Sequence, residues 1–557
     1  MPIHIDLHDR NTQTAGQAAP PSALLQQIAR HAQQQPQQVA LTGPSQSISY
    51  AQLQHRIDDL SQRLSASGFR QLGLLMDNSP DWIICQLAAL KAAVCVIPLP
   101  LFFSPQQLQH TLDSCGIELL LCDQTDRLDP LHLTLRSRRE IHPGALQRDS
   151  QKTGLSRPTG SCLITFTSGT TGQPKGVCLD SISLDRLCQS LYQQIEPLGI
   201  ARHCCLLPLP VLLEHVAGAL LSLYAGIECT IYPATTTGLS GSGKLDLPRF
   251  TAWLDQQQPD SLILVPELLQ ALVGIAEVSA KSSEAIPCKG LKPLRFVAVG
   301  GGHIAPRLLQ RAQQLSLPVF EGYGLSECGS VVTLNTPQHR RNGSVGRPLP
   351  HCQIKLGEDN EVLIKGAAML GYLGEPQSTA EAHSRQPNSD DVWLASGDIG
   401  RVDNDGYLYL EGRKSNVLIN SFGRNLCPEW IEAELNSHPL IAQSCLIGDQ
   451  RPFNIVLLTL SPSLTKPEVN TESLQRLIDP LNSRLPDYAR INDYVLTRQP
   501  FSPANGQLTG NGRLKREPIL DAYQSEIERC YSPAGSTGNT ALKHTSSRTF
   551  TSTLESL

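Results

Sequence analysis

The chain has 557 residues and a formal net charge of −5, a length that favours a large domain plus a smaller one over a single core. The mild acidity, without a basic stripe carrying interleaved aromatic residues, argues against a nucleic-acid substrate. Sixteen cysteines without C-x-x-C pairs or Cys/His ligand spacing indicate reduced, mostly buried thiols. The first residues lack an apolar signal-peptide core, and no apolar run reaches about 18 residues. We therefore expect a cytoplasmic protein, with peripheral membrane contact left open.

The first third of the chain alternates between helix and strand patterns. Residues 21–65 have helical spacing interrupted by a Gln/Pro-rich connection and a strand-like VALT, and they end in a helix predicted from Tyr50 to Leu64. The next predicted elements are a strand at 72–76, a helix at 82–93 begun by Asn78-Ser79-Pro80-Asp81, and strands at 94–98 and 119–122. This alternation predicts a largely parallel sheet covered by helices on both faces.

A glycine- and hydroxyl-rich loop follows the predicted strand Leu163–Phe166. Its glycines let the backbone approach an anion closely, its hydroxyls and amides supply hydrogen-bond donors, and its lysine supplies a positive charge. The loop is neither a Walker A motif nor a dinucleotide-binding G-x-G-x-x-G. The candidate phosphate-binding residues are Thr167, Ser168, Gly169, Thr170, Thr171, Gly172 and Lys175.

This loop resembles the signature loop of the adenylate-forming superfamily, which contains acyl-CoA synthetases, luciferases and the adenylation domains of peptide synthetases. In that family the loop holds the β- and γ-phosphates of ATP. The resemblance extends over about residues 20–530 and is closest in motif style to the long-chain acyl-CoA synthetases. It implies that Lys175 neutralises phosphate charge during catalysis.

Residues 206–232 form a long apolar run, in which a turn at Pro208 and Pro210 leading into a buried helix accounts for most positions. The run resembles the family's Pro-Leu-x-His segment in its long-chain form, with Val211 at the usual His position and Glu214 retained. Glu214 and His215 are the acyl-site candidates. His215 has two open interpretations, a gate at the acyl site or an ordinary helix residue with its hydrogen bonds satisfied.

Residues 294–335 contain a glycine turn and a second chemically rich loop. The glycines at 300–302 permit close approach of a flat ring, and the Tyr-Gly-Leu-Ser-Glu run combines an aromatic face, a hydroxyl and a carboxylate. The resemblance implies that Tyr323 stacks on adenine, that Ser326 contacts phosphate and that Glu327 binds Mg²⁺. The candidate nucleotide-binding residues here are Gly301, Gly302, Glu321, Gly322, Tyr323, Gly324 and Ser326.

Three further positions follow in the order that the family has them. A hairpin predicted at Asn404-Asp405-Gly406 separates Asp398 from Arg413, and the resemblance gives Asp398 the ribose hydroxyls, with Arg413 beside it. Ser415 occupies the position of the hinge between the large domain and a small lid. Residues 421–435 resemble the stretch that faces the pantetheine tunnel in thioester-forming relatives.

The largest departure from the family lies near the end of the chain, where the usual catalytic lysine is replaced by Arg513. Arginine is a planar fork and lysine a compact point charge, so the two are not equivalent. Three alternatives stay open: Arg513 does the work with altered geometry, Lys515 reaches in from two residues on, or the adenylation step is weak.

These observations together predict an α/β protein with a large multi-subdomain N-terminal domain of mostly parallel sheets and a small, mobile α+β C-terminal domain. The expected boundaries are a flexible N-terminus at 1–20, an adenylation domain at 21–411, a lid at 412–532 and a disordered Ser/Thr-rich tail at 533–557. The implied activity is ATP- and Mg²⁺-dependent conversion of a carboxylic acid, expected to be fatty, to an acyl-adenylate and then to a thioester with coenzyme A. The alternatives are transfer to a carrier-protein phosphopantetheine, and a degenerate, non-catalytic nucleotide or acyl-binding module.

Overall fold

The structure is a computed structural model that describes residues 22–131, 133–148, 154–167, 175–240, 244–281, 288–366, 368–385, 392–419, 421, 424–461, 471–509 and 512–532. The predictions for the first twenty residues and for the tail at 533–557 lie outside the described residues. Within the described part of the chain, no helix combines the length and the apolar character needed to cross a membrane.

The strands, numbered along the chain, are β1 (Val39–Thr42), β2 (Ser47–Ser49), β3 (Gln71–Leu75), β4 (Cys95–Pro98), β5 (Leu119–Cys122), β6 (Leu135–Ser137), β7 (Ala145–Arg148), β8 (Leu163–Thr167), β9 (Lys175–Leu179), β10 (Arg202–Cys205), β11 (Glu228–Ile231), β12 (Leu239–Ser240), β13 (Lys244–Leu245), β14 (Ser261–Leu264), β15 (Phe296–Val299), β16 (Val319–Tyr323), β17 (Thr333–Leu334), β18 (Arg347–Pro348), β19 (Gln353–Leu356), β20 (Glu361–Lys365), β21 (Gly371–Tyr372), β22 (His383–Arg385), β23 (Val392–Val402), β24 (Leu408–Arg413), β25 (Leu418–Ile419), β26 (Asn425–Leu426), β27 (Ile441–Ile447), β28 (Asn454–Leu460) and β29 (Ile491–Leu496).

The α-helices are α1 (Ala23–Gln34), α2 (Tyr50–Ser67), α3 (Pro80–Lys91), α4 (Pro105–Cys115), α5 (Ser181–Ile195), α6 (Leu212–Glu214), α7 (Leu221–Ala225), α8 (Ala234–Thr237), α9 (Leu247–Gln257), α10 (Pro266–Lys281), α11 (Pro306–Gln314), α12 (Pro376–Ala382), α13 (Pro428–Asn436), α14 (Thr471–Asn482), α15 (Arg516–Ala522) and α16 (Gln524–Tyr531). A π-helical turn at His215–Leu220 joins α6 to α7.

Helix starts follow local capping chemistry. Helix α2 begins with a capping box between Ser49 and Gln52, and it ends at Gly68 in the left-handed conformation. Helix α3 begins with Pro80 in its first turn, while the Ser79 hydroxyl accepts from the backbone N–H of Trp82. The helices predicted at 50–64 and 82–93 are therefore confirmed, with ends shifted by at most three residues.

Two large sheets form most of the N-terminal part. The nine-stranded sheet has the order β18-β17-β16-β15-β14-β10-β11-β1-β2, with parallel pairing from β16 through to β1 and antiparallel strands at its edges. The eight-stranded sheet, β21-β9-β8-β4-β3-β5-β7-β6, is parallel at its centre and antiparallel on both sides. One continuous core joins the two sheets through buried residues of helices α2, α3, α5 and α7.

A five-stranded antiparallel sheet of β19, β20, β22, β23 and β24 follows, and it contains the predicted hairpin between β23 and β24. The small C-terminal part is built on the three-stranded sheet β27-β28-β29. Alternate residues of β28 face opposite cores: Val456 and Leu458 pack with α13 and α14, and Ile455 and Leu457 pack with α15 and α16. The predicted fold class is confirmed, whereas the exact domain boundaries and the mobility of the small domain stay predictions.

Candidate active site

A cavity of about 180 Å³ opens at the carboxyl-end edge of the nine-stranded sheet. Its walls are mainly apolar, and they come from the 191–227 region and from strands β14 and β15. The π-helical segment between α6 and α7 brings Ala217 and Leu221 to one wall, with Val211 and Leu213 beside them. Such a cavity suits a hydrocarbon or aromatic ligand.

Strand β15 explains how this cavity widens toward the edge of the sheet. Phe296, Ala298 and Gly300 occupy alternate positions, so they lie on the same face and all three line the cavity. Their side chains shrink from a ring to a methyl group to a hydrogen atom along the strand. The backbone turns at Gly301, whose φ of +82° is left-handed and favours glycine. Gly302 follows and lies beside Pro266.

Tyr323, Asp398 and Arg413 form one connected group next to this edge. The Tyr323 hydroxyl donates to Asp398 Oδ2 at 2.7 Å, and Arg413 Nε lies 2.9 Å from Asp398 Oδ1. Strands β23 and β24 place Asp398 directly opposite Arg413 in antiparallel register. Burial raises the pKa of Asp398, while the charges of Arg413 and Arg513 and the hydrogen bond from Tyr323 act in the opposite direction.

The turn after Tyr323 requires glycine at position 324. A Cβ there would lie 1.6 Å from the backbone oxygen of Ser330, so no other residue fits without a shift of the backbone. Gly322, Gly324 and Ser326 all line the cavity with Tyr323. The loop therefore brings an aromatic ring and a hydroxyl to the edge where the apolar cavity opens.

Glu321 lies two residues before Tyr323 on β16, and its backbone oxygen accepts from the N–H of Asn335. Its side chain is only partly exposed to solvent. Burial raises the pKa of Glu321 to about 8, against the lowering effect of the charge on Arg340. We therefore expect this carboxyl group to hold a proton at neutral pH.

Glu327 and Lys175 belong to a second polar network. Glu327 Oε1 accepts from the Tyr372 hydroxyl at 2.9 Å, and Lys175 Nζ lies 5.3 Å from the centre of the Tyr372 ring. Lys175 also pairs with Glu375 at 2.9 Å and donates to the Ser378 hydroxyl at 3.2 Å. This geometry places an ammonium group over the ring of one tyrosine and a carboxylate at its hydroxyl.

Thr167 ends strand β8, directly opposite Lys175 in the register of β8 and β9. The other candidate phosphate-binding residues, at 168–172, lie outside the described residues. Tyr372, Glu375 and Ser378 were not predicted from the sequence. Their segment, 371–382, carries no motif of its own, and only the pairing of β21 with β9 brings it to Lys175.

The two candidates for the missing lysine occupy different places. Arg513 lines the cavity, close enough to Asp398, Glu327 and Arg413 for their charges to affect its pKa. Burial and Arg413 lower that pKa, and the two carboxylates raise it. The cavity lining does not include Lys515, whose backbone N–H donates to Gln507 O where helix α15 begins.

The two predicted acyl-site residues are buried behind the cavity wall, and neither is among its lining residues. Glu214 Oε2 accepts from the backbone N–H groups of Leu206 and Leu207, at 3.0 and 2.8 Å, and Oε1 accepts from His203 Nε2 at 2.9 Å. His215 packs edge-on against Trp82, with ring centres 4.9 Å apart. Burial lowers the pKa of His215 to about 3.

This arrangement bears on the two interpretations of His215. Neither of its ring nitrogens has a hydrogen-bond partner within the described part of the chain, and its side chain is fully buried. The packing against Trp82 supports the helix-residue interpretation over the gate, although its hydrogen bonds are not satisfied as that interpretation expected. The histidine that does line the cavity is His203, which the sequence did not single out.

Ser415 lies in a short 3₁₀ turn whose neighbours are held on opposite sides. Lys414 pairs with Glu361 at 3.3 Å, in the antiparallel five-stranded sheet. Asn416 donates to Glu429 Oε1 at 2.7 Å, on helix α13 of the small C-terminal part. Because both neighbours of Ser415 are held, rotation between the two parts would be expected at Ser415. The hinge stays a prediction.

The profile of AMP-binding enzymes matches residues 28–373, which is more than half of the chain, and the profile of the AMP-binding enzyme C-terminal domain matches residues 415–535. The chain belongs to the AMP-binding enzyme family. This confirms the resemblance drawn from the sequence motifs.

Relatives of this AMP-binding enzyme include the long-chain-fatty-acid–CoA ligase FadD15 of Mycobacterium bovis, 24% identical, with 81% of this chain and 86% of that protein covered. The human long-chain-fatty-acid–CoA ligase ACSBG1 is also 24% identical, over 87% of this chain and 81% of that protein. Among solved structures, the anthranilate CoA ligase AuaEII in complex with anthranoyl-AMP has a TM-score of 0.73 at 17% identity, over 92% of this chain and 99% of that one. At such identity the structural match establishes the fold alone.

Proposed function

We propose that this AMP-binding enzyme activates a carboxylic acid with ATP to give an acyl-adenylate and pyrophosphate, and then transfers the acyl group to a thiol. The observation that carries the proposal is the cavity: its walls are mainly apolar, and its lining at the sheet edge includes Tyr323, Ser326 and Arg513. A bound acid would bury its hydrocarbon part and present its carboxylate to polar groups at that edge.

In this proposal the nucleotide binds to the polar groups at the cavity edge and beyond it. Tyr323 would stack on adenine and Asp398 would accept from the ribose hydroxyls, with Arg413 holding Asp398 in place. Thr167 and Lys175, with residues 168–172, would hold the β- and γ-phosphates. Phosphates would compete with Glu375 for the Lys175 ammonium group.

Glu327 fits the role of a Mg²⁺ ligand, because it offers a hard carboxylate oxygen and is already oriented by Tyr372. The ion, when bound, would supply neutralisation of the negative charge on the phosphates. No other described residue is assigned to it.

In the reaction, one carboxylate oxygen of the acid attacks the α-phosphorus of ATP, and the bond from that phosphorus to the bridging oxygen of pyrophosphate breaks. Arg513 would stabilise the negative charge that develops around the α-phosphate, as fixed donors do in water-excluded sites. In the second step a thiolate attacks the acyl carbonyl and AMP leaves. Rotation at Ser415 would exchange Arg513 for the thiol-binding face of the small part.

Fatty acids are the favoured substrate class and coenzyme A the favoured thiol, supported by the apolar cavity and by relatives that are named long-chain-fatty-acid–CoA ligases. A carrier-protein phosphopantetheine would use the same second step.

The test is pyrophosphate release from Mg·ATP with a panel of alkyl and aryl acids, with and without coenzyme A. We expect release that requires an acid, and an acyl-CoA product only when the thiol is present. ATP binding without acid-dependent pyrophosphate from any member of the panel would favour the non-catalytic module instead. Replacement of coenzyme A by a phosphopantetheinylated carrier protein distinguishes the two thiols.

A further inference from the structure

The deep end of the cavity is polar although its walls are apolar. His203 on β10 and Ser261 on β14 are direct neighbours in the parallel register of the two strands, and both line the cavity. His203 Nδ1 and Ser261 Oγ are 2.9 Å apart, and both residues are buried. A purely hydrocarbon ligand would gain nothing from this pair, because apolar groups of similar size would pack as well without the cost of burying polar atoms.

The strand register shows how deep the His203–Ser261 pair lies in the cavity. Ser261 is level with Phe296, and Gly300 at the sheet edge is four residues further along the chain, directly after β15. At about 3.3 Å per residue the pair is roughly 13 Å below the edge. Only a group at the far end of an extended acyl chain would reach it.

Glu214 determines which hydrogen-bonding role Ser261 has. Its two oxygens accept from two backbone N–H groups and from His203 Nε2, so the Nε2 hydrogen of a neutral imidazole is held by the carboxylate. In this tautomer Nδ1 has no hydrogen, so the Ser261 hydroxyl would be the donor of the 2.9 Å hydrogen bond between them. The lone pairs of Ser261 Oγ are left to accept from a ligand.

Gly218 keeps this arrangement compact. A Cβ at position 218 would lie 2.3 Å from Glu214 Oε1 and 2.7 Å from His203 Nε2, so the π-helical turn can pack over the pair only with glycine there. The backbone of the π-helical turn thus packs closely against the His203–Glu214 pair.

We propose that Ser261, positioned by His203 and Glu214, is a specificity-determining residue that accepts a hydrogen bond from a hydroxyl group at the far end of the acyl chain. The substrate class would then be ω-hydroxylated or similarly end-hydroxylated carboxylic acids of medium length. This inference rests on the proposed acid activation and names the substrate of the same site.

The test compares pyrophosphate release with octanoate, decanoate and dodecanoate, with their ω-hydroxy forms, and with the methyl-ketone acid of each length. The ketone carries an acceptor but no donor, so it should not pair with Ser261. We expect the best ω-hydroxy acid to exceed its alkyl counterpart and the ketone about tenfold in kcat/KM, the size of one buried hydrogen bond.

Ser261→Ala should abolish that preference by raising KM for the hydroxy acid and leaving KM for the alkyl acid unchanged or lower. Ser222→Ala is the matched control, because Ser222 also lines the cavity but its hydroxyl donates to Gly218 O at 2.7 Å. The control should keep the preference. A general loss of structure would change the kinetic constants for both acids alike, and thermal melts of both variants would detect it.

The proposal is overturned if wild-type enzyme uses the alkyl or ketone acids as well as the hydroxy acids at every length, a result that needs no variant. It is also overturned if Ser261→Ala keeps the wild-type preference. Release with alkyl acids in either case would leave acid activation standing, whereas no release with any acid would remove both proposals.

Discussion

Two buried carboxylates, Asp398 next to the cavity edge and Glu214 behind the cavity wall, are held in opposite ways. Asp398 is bound by side chains, the Tyr323 hydroxyl and the Arg413 guanidinium, and the Arg413 side chain is 39% exposed. Glu214 is 0% exposed and is bound by two backbone N–H groups and by His203. Side chains can move aside for a ligand. The backbone amides of Leu206 and Leu207, in the connection between β10 and α6, cannot.

The difference indicates what each acid can do. Asp398 can exchange a partner for hydroxyl groups of a ligand, because the Arg413 side chain is partly exposed and can move. Glu214 cannot release its amides without leaving buried donors unpaired, which costs about 1–3 kcal/mol for each group. We therefore infer that Asp398 binds substrate, whereas Glu214 supports the cavity floor through His203.

The largest effect on activity is expected from removal of the positive charge of Lys175, the proposed phosphate-binding lysine. Lys175→Met should lower kcat/KM for acid-dependent pyrophosphate release by about 100- to 1,000-fold, as loss of one fixed charged donor does. Steady-state assays with Mg·ATP measure it. Lys289→Met, at an exposed lysine far along the chain, is the control and should change the rate less than about twofold. A small effect at Lys175 would contradict the phosphate assignment.

The second effect distinguishes the two basic residues near the chain end. Arg513 lines the cavity and Lys515 does not, so Arg513→Ala should lower the adenylation rate about 100-fold and Lys515→Ala about twofold or less. Single-turnover formation of acyl-adenylate measures the step directly. The reverse order would assign the catalytic charge to Lys515.

Two single substitutions, one at each carboxylate, test the comparison between Asp398 and Glu214. Asp398→Asn should raise KM for ATP about tenfold with little loss of stability, because burial already disfavours its charge. Glu214→Gln should instead lower the free energy of unfolding by about 2 kcal/mol, because an amide cannot accept all three donors, and leave KM for ATP within twofold. Denaturant titrations and ATP-dependent kinetics on both variants provide the two readouts. Equal effects of the two changes on KM would remove the distinction.

A further effect concerns the pH dependence of stability. The pKa of Glu321 is about 8 in the folded protein, above the value of about 4.3 for an unfolded glutamate. The folded state therefore binds the proton more tightly than the unfolded state does. The stabilising contribution of protonated Glu321 is fully present below pH ~4 and is lost as the pH rises through about 8. Glu321→Gln mimics the protonated form and should make the melting temperature less dependent on pH between those values. Parallel wild-type and variant slopes would show that Glu321 is already ionised.

The sequence motifs singled out a group of polar residues that the structure brings together, and they missed the polar pair that lines the deep end of the cavity. Tyr323 and Arg413 end strands β16 and β24, Asp398 lies opposite Arg413 in the hairpin of β23 and β24, and the structure brings the three together. Glu375 and Tyr372 reach Lys175 only through the pairing of β21 with β9, which has no local signature. His203 and Ser261 are far apart along the chain and meet only through the crossover order of the sheet.

The central claim is that the carboxylate of an acid in the cavity attacks the α-phosphorus of ATP. The most direct test supplies decanoate labelled with ¹⁸O in both carboxylate oxygens, with Mg·ATP and coenzyme A, and measures the masses of the products. The account predicts AMP that carries one heavy oxygen, with unlabelled pyrophosphate. Unlabelled AMP, or ADP with labelled inorganic phosphate, would contradict it.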